Sequence, residues 1–259
     1  MLVRHAMRLR SFLSGEGGTR PTIRFMPSPG RLAPGRRVYA IADVHGHLGK
    51  LLALHQRIAE DLAERPVAES LLIHLGDYVD RGPDSAGVIR TLRQGPAVPV
   101  DRVVNLMGNH EEMMLRAVAS GDPQLAGPWL ANGGAAALLS WGVSPDTPPR
   151  HWAQLLPQED LHFLESLPVR HSVDGYVFVH AGLRPGVVTE LQAVRDLLWI
   201  REPFLSSEAD LGAVVVHGHS PAPEPVLRRN RIGLDTGAFL TGRLTCAVLE
   251  EDRVGFLVA

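Results

Sequence analysis

Short apolar runs recur through the first half of the chain, and each breaks into a polar cluster. Residues 37–42 (Arg-Val-Tyr-Ala-Ile-Ala) read as a buried strand that ends at Asp43. Leu48, Leu51, Leu52, His55, Ile58, Ala59 and Leu62 then recur at three- and four-residue steps, the period of a helix packed on one side. Residues 71–75 predict a second strand, and Asp84-Ser85 offers an N-cap to a helix carrying Val88, Ile89 and Leu92. Residues 102–107 predict a third strand, after which a helix restarts from Glu111 through Val118. This strand–loop–helix alternation predicts a largely parallel sheet.

Residues 121–170 change texture, combining Trp129, Trp141 and Trp152 with many alanines, leucines and prolines. They are expected to form short helices, a cap inserted beside the sheet ends with the three tryptophans as its small core. Strands are predicted again at 176–179, 213–216, 230–234, 244–249 and 253–258, the last two joined as a hairpin by the acidic turn 250–252. The expected fold class is α/β: two mixed β-sheets packed face to face in a sandwich flanked by helices, with a small helical cap.

At 259 residues the chain can bury one large core, and its 45% hydrophobic and 21% charged content are those of a soluble globular protein. A formal net charge of −2 gives no global attraction to nucleic acid or anionic membrane, so neither is an expected partner. No stretch approaches the roughly 18–20 apolar residues of a membrane helix. The single cysteine, Cys246, excludes an internal disulfide framework and fits a reducing, cytoplasmic compartment. Lying in a strand-like run, it is expected to be a buried structural thiol. From Met1 to Arg37 there are eight arginines against one acid, Glu16. Residues 1–36 are therefore expected to be a flexible or loosely docked arm ahead of a domain spanning 37–259, with a transit peptide as the other reading.

Five clusters follow the apolar runs in order: Asp43-Val44-His45-Gly46, Gly76-Asp77-Tyr78-Val79-Asp80-Arg81-Gly82, Gly108-Asn109-His110-Glu111, His180-Ala181-Gly182 and His217-Gly218-His219-Ser220. Strand ends are where open α/β sheets build ligand sites. Asp43 and His45 stand two apart, so both side chains can point to one face. Asp77 can bridge two cations with its two oxygens, and the Asn109 amide supplies a neutral hard ligand. His110, adjacent to Asn109, is left free for proton transfer. One such cluster alone would read as a turn aspartate beside a surface histidine; five in order predict a metal centre.

The order D-x-H-G, G-D-x-V-D-R-G, G-N-H-E, H-A-G and G-H-S-P resembles the PPP family of binuclear metallophosphatases, which includes serine/threonine protein phosphatases. The resemblance runs from about Tyr39 to the C-terminus. It implies that Asp43, His45 and Asp77 hold one metal, and that Asp77, Asn109, His180 and His219 hold the second. It implies that His110 is the general acid, oriented by Asp80, and that Arg81 and Arg201 grip the phosphoryl oxygens together with Asn109. A water bridging the two cations would attack directly, with no serine or cysteine nucleophile. The mixed nitrogen and oxygen ligands suit manganese, or an iron–manganese pair, better than magnesium.

The chain also departs from that pattern. Ala42 replaces the usual glycine before the first aspartate, and Met107 stands where many eukaryotic members carry an arginine. Leu234-Asp235-Thr236-Gly237 is similar to bacterial members and to diadenosine tetraphosphatases. Those nucleotide enzymes generally lack the second aspartate of G-D-x-V-D-R-G, whereas Asp80 is present here. The expected substrate is therefore phosphoserine or phosphothreonine in a protein or peptide. Symmetrical diadenosine tetraphosphate hydrolysis is the alternative, and a non-catalytic phosphoprotein-binding module is the alternative of another class. Among the remaining candidates, His217 reads as a neighbour of the ligands, His47 as a rim residue and His74 as a hydrogen-bonded core histidine. His5, His55, His151, His162 and His171 read as surface or structural. Asp84 reads as a helix cap, Glu111 as a loop hydrogen-bonder and Asp235 as a turn former or rim residue.

Overall fold

The structure, a computed structural model, describes residues 23–259. In chain order its strands are β1 (Met26–Pro27), β2 (Arg36–Ile41), β3 (Glu69–His74), β4 (Arg102–Asn105), β5 (Arg170–Val173), β6 (Tyr176–Val179), β7 (Val214–His217), β8 (Val226–Arg228), β9 (Arg231–Gly233), β10 (Thr245–Glu250) and β11 (Arg253–Val258). The first sheet has the lateral order β1-β11-β10-β2-β3-β4, and the second β5-β6-β7-β9-β8. β2, β3 and β4 pair in parallel, as the alternating pattern predicts, and so do β6, β7 and β9. The hairpin β10–β11 adds to the first sheet by running antiparallel to β2.

β2 is apolar on both faces because both faces are covered. Val38 and Ala40 point between the sheets toward Tyr176, Phe178, Val216 and Ile232, while Tyr39 and Ile41 point to the helical layer. Fully burying one such side chain contributes roughly 1.5–3 kcal/mol, so the inter-sheet layer fixes how the sheets face each other. Ala42, the small residue before Asp43, lies in that layer. The helices are α1 (Leu48–Glu64), α2 (Ser85–Gln94), α3 (Asn109–Ser120), α4 (Pro123–Trp129), α5 (Ala135–Ser140), α6 (Trp152–Leu155), α7 (Gln158–Glu165), α8 (Val194–Trp199) and α9 (Ala238–Thr241). The Asp84 carboxylate caps α2 by accepting from the Gly87 N–H at 2.7 Å. No helix of the described residues is long and apolar enough to cross a membrane.

Register sets the site. Ile41 stands beside His74, and His74 beside Asn105, so the loops after β2, β3 and β4 leave from one edge. In the second sheet Phe178 pairs with Val216 and His217 with Gly233, so β6, β7 and β9 send their loops out together. The cap forms from α4 to α7, with Trp129 and Trp152 buried edge to face at 5.4 Å and Trp141 half-buried. Three strands carry no run that predicts them: β1, β5 and β8 are short sheet edges, β1 exposed and the other two mostly half-buried. Of the expected arm 1–36, residues 1–22 lie outside the described residues. Residues 23–36 are docked: Met26 and Pro27 pair with Val254 and Arg253, Phe25 lies beneath the Arg65 and Arg253 guanidiniums, and Leu32 is buried between the sheets.

At the opposite end of β2 from Asp43 lies a buried ionic network. The Arg37 guanidinium meets Asp61 and Glu250, each at 3.2 Å. Arg65 reaches the same two carboxylates at 2.6 and 2.9 Å, and Arg253 adds a contact to Glu250 at 3.1 Å. The Tyr39 hydroxyl donates to Asp61.

A candidate metal centre between the strand ends

Five residues of the motif loops have left-handed backbone: His45 (φ 43°), Asp77 (φ 52°), Asp80 (φ 73°), Arg81 (φ 68°) and His219 (φ 61°). The other non-glycine residues with positive φ among those described, Asp174 and Glu251, sit in hairpin turns. Side chains held in this region cost on the order of 1 kcal/mol each, so the surroundings must impose it. Glu111, in the first turn of α3, restrains the loop that begins at Asp77. Its carboxylate accepts from the N–H groups of Gly108, Asp77 and Tyr78 at 2.8 Å and of Val79 at 3.2 Å. Burial, then the Asp77 charge, lifts its pKa to about 7. Gly108 permits the close approach of the two loops, because a Cβ there would stand 2.3 Å from the Asp77 amide nitrogen and carboxylate.

Donor atoms converge from both sheets. Asp77 Oδ2 lies 3.5 Å from His45 Nε2, while Asp77 Oδ1 lies 3.3 Å from His180 Nε2. Asn109 Oδ1 stands 2.9 Å from His180 Nε2 and 2.8 Å from His219 Nδ1. Asp43 accepts the His219 N–H with both oxygens, at 3.2 and 3.0 Å. Gly218 allows that approach, since a Cβ there would lie 2.0 Å from Asp43 Oδ1. The tautomer-setting ring nitrogens are held by backbone carbonyls: His45 Nδ1 lies 2.8 Å from Val79 O, and His180 Nδ1 2.9 Å from Leu75 O. Such contacts leave the opposite nitrogen as a lone-pair donor. Two groups with metal-ligand spacing result, His45–Asp77–His110 and Asp77–His180–His219, sharing Asp77.

His110 is turned differently. Its Nδ1 donates to Asp80 Oδ2 at 2.6 Å, and its Nε2 faces the Arg81 guanidinium at 3.1 Å. Asp80 is fully buried and also accepts from the Trp129 indole N–H, 3.0 Å from each oxygen. The Arg81 side chain lies over the Phe239 ring at 4.0 Å, which fixes its direction without consuming its donors. Arg201 donates weakly to the His219 carbonyl at 3.4 Å. Asp43, Asp77, Asn109, His110, His219, Arg81 and Arg201 all line one cavity of about 180 Å³, together with Asn132, Trp199, Pro221, Asp235 and Phe239.

The electrostatics are unbalanced. Burial, then Asp235, pushes the Asp43 pKa well above its ordinary value. Burial also raises Asp235, beside Asp77. It acts the same way on Asp77, but His180, His110 and His45 outweigh it and hold Asp77 well below its ordinary value. Burial opposes charge on His180, yet Asp77, Asp43 and Glu111 outweigh it and lift that histidine to about 10. His45 and His219 are driven by burial to about 3, hence neutral and in the ligand form. The field around Asp77 calls for positive charge, and the surrounding donors are lone pairs on carboxylate, amide and imidazole. That set fits divalent cations.

The structure brings Asp43, His45, Asp77, Asn109, His110, His180 and His219 together, with Asp80, Arg81 and Arg201 around them. Asn109 and His110 belong to the first turn of α3, which starts two residues ahead of the helix predicted from Glu111. His217 is left out: its ring packs on Phe204 at 5.0 Å, and its Nε2 has no partner. His47 turns back onto the His45 carbonyl at 2.7 Å. His74 is a buried core histidine, bonded to Asn105 at 2.7 Å and to His55 at 3.0 Å. Asp235 serves both expectations, accepting the Gly237 N–H at 2.8 Å while lining the cavity. Sequence reasoning missed Trp129 as the Asp80 partner and Phe239 as the Arg81 platform. Neither residue carries a spacing signal, since folding alone brings each to the site.

The sequence profile of calcineurin-like phosphoesterases matches residues 36–254. The chain belongs to that family. The calcineurin-like phosphoesterases are metal-dependent phosphoester hydrolases, and this member is an enzyme of that class by descent. It is 30% identical over 222 residues to serine/threonine-protein phosphatase 1 of Salmonella typhimurium, covering 83% of this chain and 93% of the relative. It is 29% identical over 220 residues to serine/threonine-protein phosphatase 2 of Escherichia coli, covering 81% and 91%. A shorter match, 32% identical over 147 residues, links 57% of this chain to 43% of a symmetrical bis(5'-nucleosyl)-tetraphosphatase of Methylobacillus flagellatus. Among solved structures, one provisionally assigned as a diadenosine tetraphosphatase superposes with a TM-score of 0.63 at 21% identity, covering 89% of this chain and 98% of its own. That likeness establishes the fold, two mixed sheets with flanking helices.

Proposed function

We propose that this enzyme removes phosphate from phosphoserine and phosphothreonine in proteins. Asp43, His45 and Asp77 would hold one cation, and Asp77, Asn109, His180 and His219 the other. Manganese, or an iron–manganese pair, suits these mixed donors. When bound, the cations supply Lewis-acid activation of water and of the phosphoryl group. The protein's own residues do the rest. Arg81 and Arg201 neutralise and orient the phosphoryl oxygens, assisted by the Asn109 amide. His110 protonates the leaving alkoxide from Nε2, and Asp80 fixes its ring and stabilises the imidazolium. Burial lowers the His110 pKa, but Asp77 and Asp80 outweigh it and raise it, which favours the acid form. A single buried thiol, Cys246, supports a reducing compartment, and the cytoplasm is the proposed one.

The observation that carries this reading is the His110–Asp80 pair at 2.6 Å inside the cavity that holds the ligand cluster and both arginines. Leaving-group protonation matters most for a poor leaving group such as a serine alkoxide. The long match to relatives named serine/threonine-protein phosphatases supports it further. Asp235 in the cavity wall, within the segment similar to nucleotide enzymes, favours diadenosine tetraphosphate as the second reading. A non-catalytic binding role fits poorly, since neither a ligand nor the acid is missing. Metal-stripped protein should be inert, and manganese should restore turnover of phosphoserine peptides above that of diadenosine tetraphosphate. A strong preference for the dinucleotide in steady-state kinetics would overturn the proposal.

A further inference from the structure

Beside the catalytic cavity lies a second, larger one of about 630 Å³, lined by Glu112, Arg116, Arg195 and Trp199. It is a groove between two helices that both end at the site. Glu112 and Arg116 are four apart on α3, whose first turn carries Asn109 and His110. Arg195 and Trp199 are four apart on α8, which ends two residues before Arg201. Residues so spaced share a helix face, so the two pairs look at each other across the groove. Trp199 lines both cavities, which makes the groove a continuation of the catalytic one.

The charge of the groove is not cancelled from within. Glu112 accepts the Trp199 indole N–H at 2.5 Å, which fixes the tryptophan as a wall and commits the carboxylate. Arg116 stands 4.0 Å from Glu112, at the limit of an ion pair, and is well exposed. Arg195 makes no ion pair among the described residues. Two guanidiniums therefore face an open channel beside a site that already carries Arg81 and Arg201.

We propose that this groove reads acidic side chains flanking the phosphoresidue, so that the enzyme prefers phosphopeptides with aspartate or glutamate near the phosphate. The inference rests on the phosphoprotein reading above. Helix geometry sets the distance. Arg195 lies about 6 Å along α8 from Trp199, and Arg116 about 9 Å along α3 from His110. An extended peptide advances about 3.3 Å per residue, so the acidic side chains belong about two to three residues from the phosphoresidue. Guanidinium–carboxylate pairing supplies the recognition, with the Trp199 face covering the stretch of peptide between.

The test compares kcat/KM for phosphoserine peptides carrying two glutamates, two alanines or two lysines within that window, on either side, in the manganese-loaded enzyme. The glutamate peptides should exceed the alanine peptides by about tenfold at low salt, with the lysine peptides slowest and the preference shrinking in high salt. The double variant Arg116→Glu/Arg195→Glu should reverse the order while turning over p-nitrophenyl phosphate at the wild-type rate. Equal rates for the three peptides, or an unchanged preference in the variant, would overturn the inference and leave the phosphoprotein reading standing. Failure to hydrolyse any phosphopeptide, with p-nitrophenyl phosphate still turned over, would overturn both. A loss in the variant confined to diadenosine tetraphosphate would assign the groove to a nucleotide instead.

Discussion

The two ends of β2 each carry a buried polar cluster, and the two are built on opposite principles. At the start of the strand, Arg37, Arg65 and Arg253 face Asp61 and Glu250, with every carboxylate paired and Tyr39 adding a donor. At its end, Asp43, Asp77 and Asp235 crowd together with imidazoles and an amide, on backbone held in left-handed conformations. Both are buried, so burial distinguishes nothing. Charge balance does: a closed network of opposite charges holds a fold together, whereas surplus negative charge among lone-pair donors fits a role in binding cations.

That contrast can be broken by experiment. The largest effect is expected from His110→Asn, which should lower kcat for phosphomonoesters by on the order of 10²–10⁴ with metal content retained. Elemental analysis of the variant checks the second half, and loss of both metals would show that His110 is a ligand instead of the acid. Next in size, Asp61→Ala should cost about 3 kcal/mol in denaturant unfolding, because it takes one of two carboxylates from the buried Arg37 guanidinium and the acceptor from the Tyr39 hydroxyl. Turnover per folded molecule should stay within about twofold of wild type. Asp43→Asn should do the reverse. In the metal-free protein it removes surplus charge and should raise stability by on the order of 1 kcal/mol in thermal unfolding, while activity with metal collapses.

The smallest effect concerns pH. Burial works against the Glu250 carboxylate, but Arg37, Arg253 and Arg65 outweigh it and pull its pKa from 4.5 down to about 2. The folded state binds this proton less readily than the unfolded one. The contribution is thus fully present above pH 4.5 and fades as pH falls toward 2. Glu250→Gln should flatten the stability profile across that window, as followed by circular dichroism. An unchanged acid limb would place the linkage elsewhere.

Most of the strand-end chemistry was legible before folding, because each ligand follows an apolar run that can only be a strand, and parallel strands deliver their ends to one edge. The buried strands β2, β3, β6, β10 and β11 show the same logic: neighbours on both sides demand apolar side chains. Edge strands with polar sequences escape it, although the edge strand β4 does not. β5 and β8 have a partner on one side only, so Arg170–Val173 and Val226–Arg228 keep polar residues that read as loop. The supports of the site were hidden for another reason. Trp129 looks like any cap-core aromatic, and its indole N–H reaches Asp80 only because α4 packs over the loop after β3. The four amide groups gathered by Glu111 belong to two loops about thirty residues apart in sequence, a contact that no local spacing encodes.

The bond from the His219 amide to Asp43 spans 176 positions of the chain. Its consequence is temporal. A ribosome releases Asp43, His45, Asp77, Asn109 and His110 well before His180 and His219, and contacts of such long sequence separation form slowly. The donor cluster is thus incomplete throughout synthesis and closes only when the second sheet docks on the first.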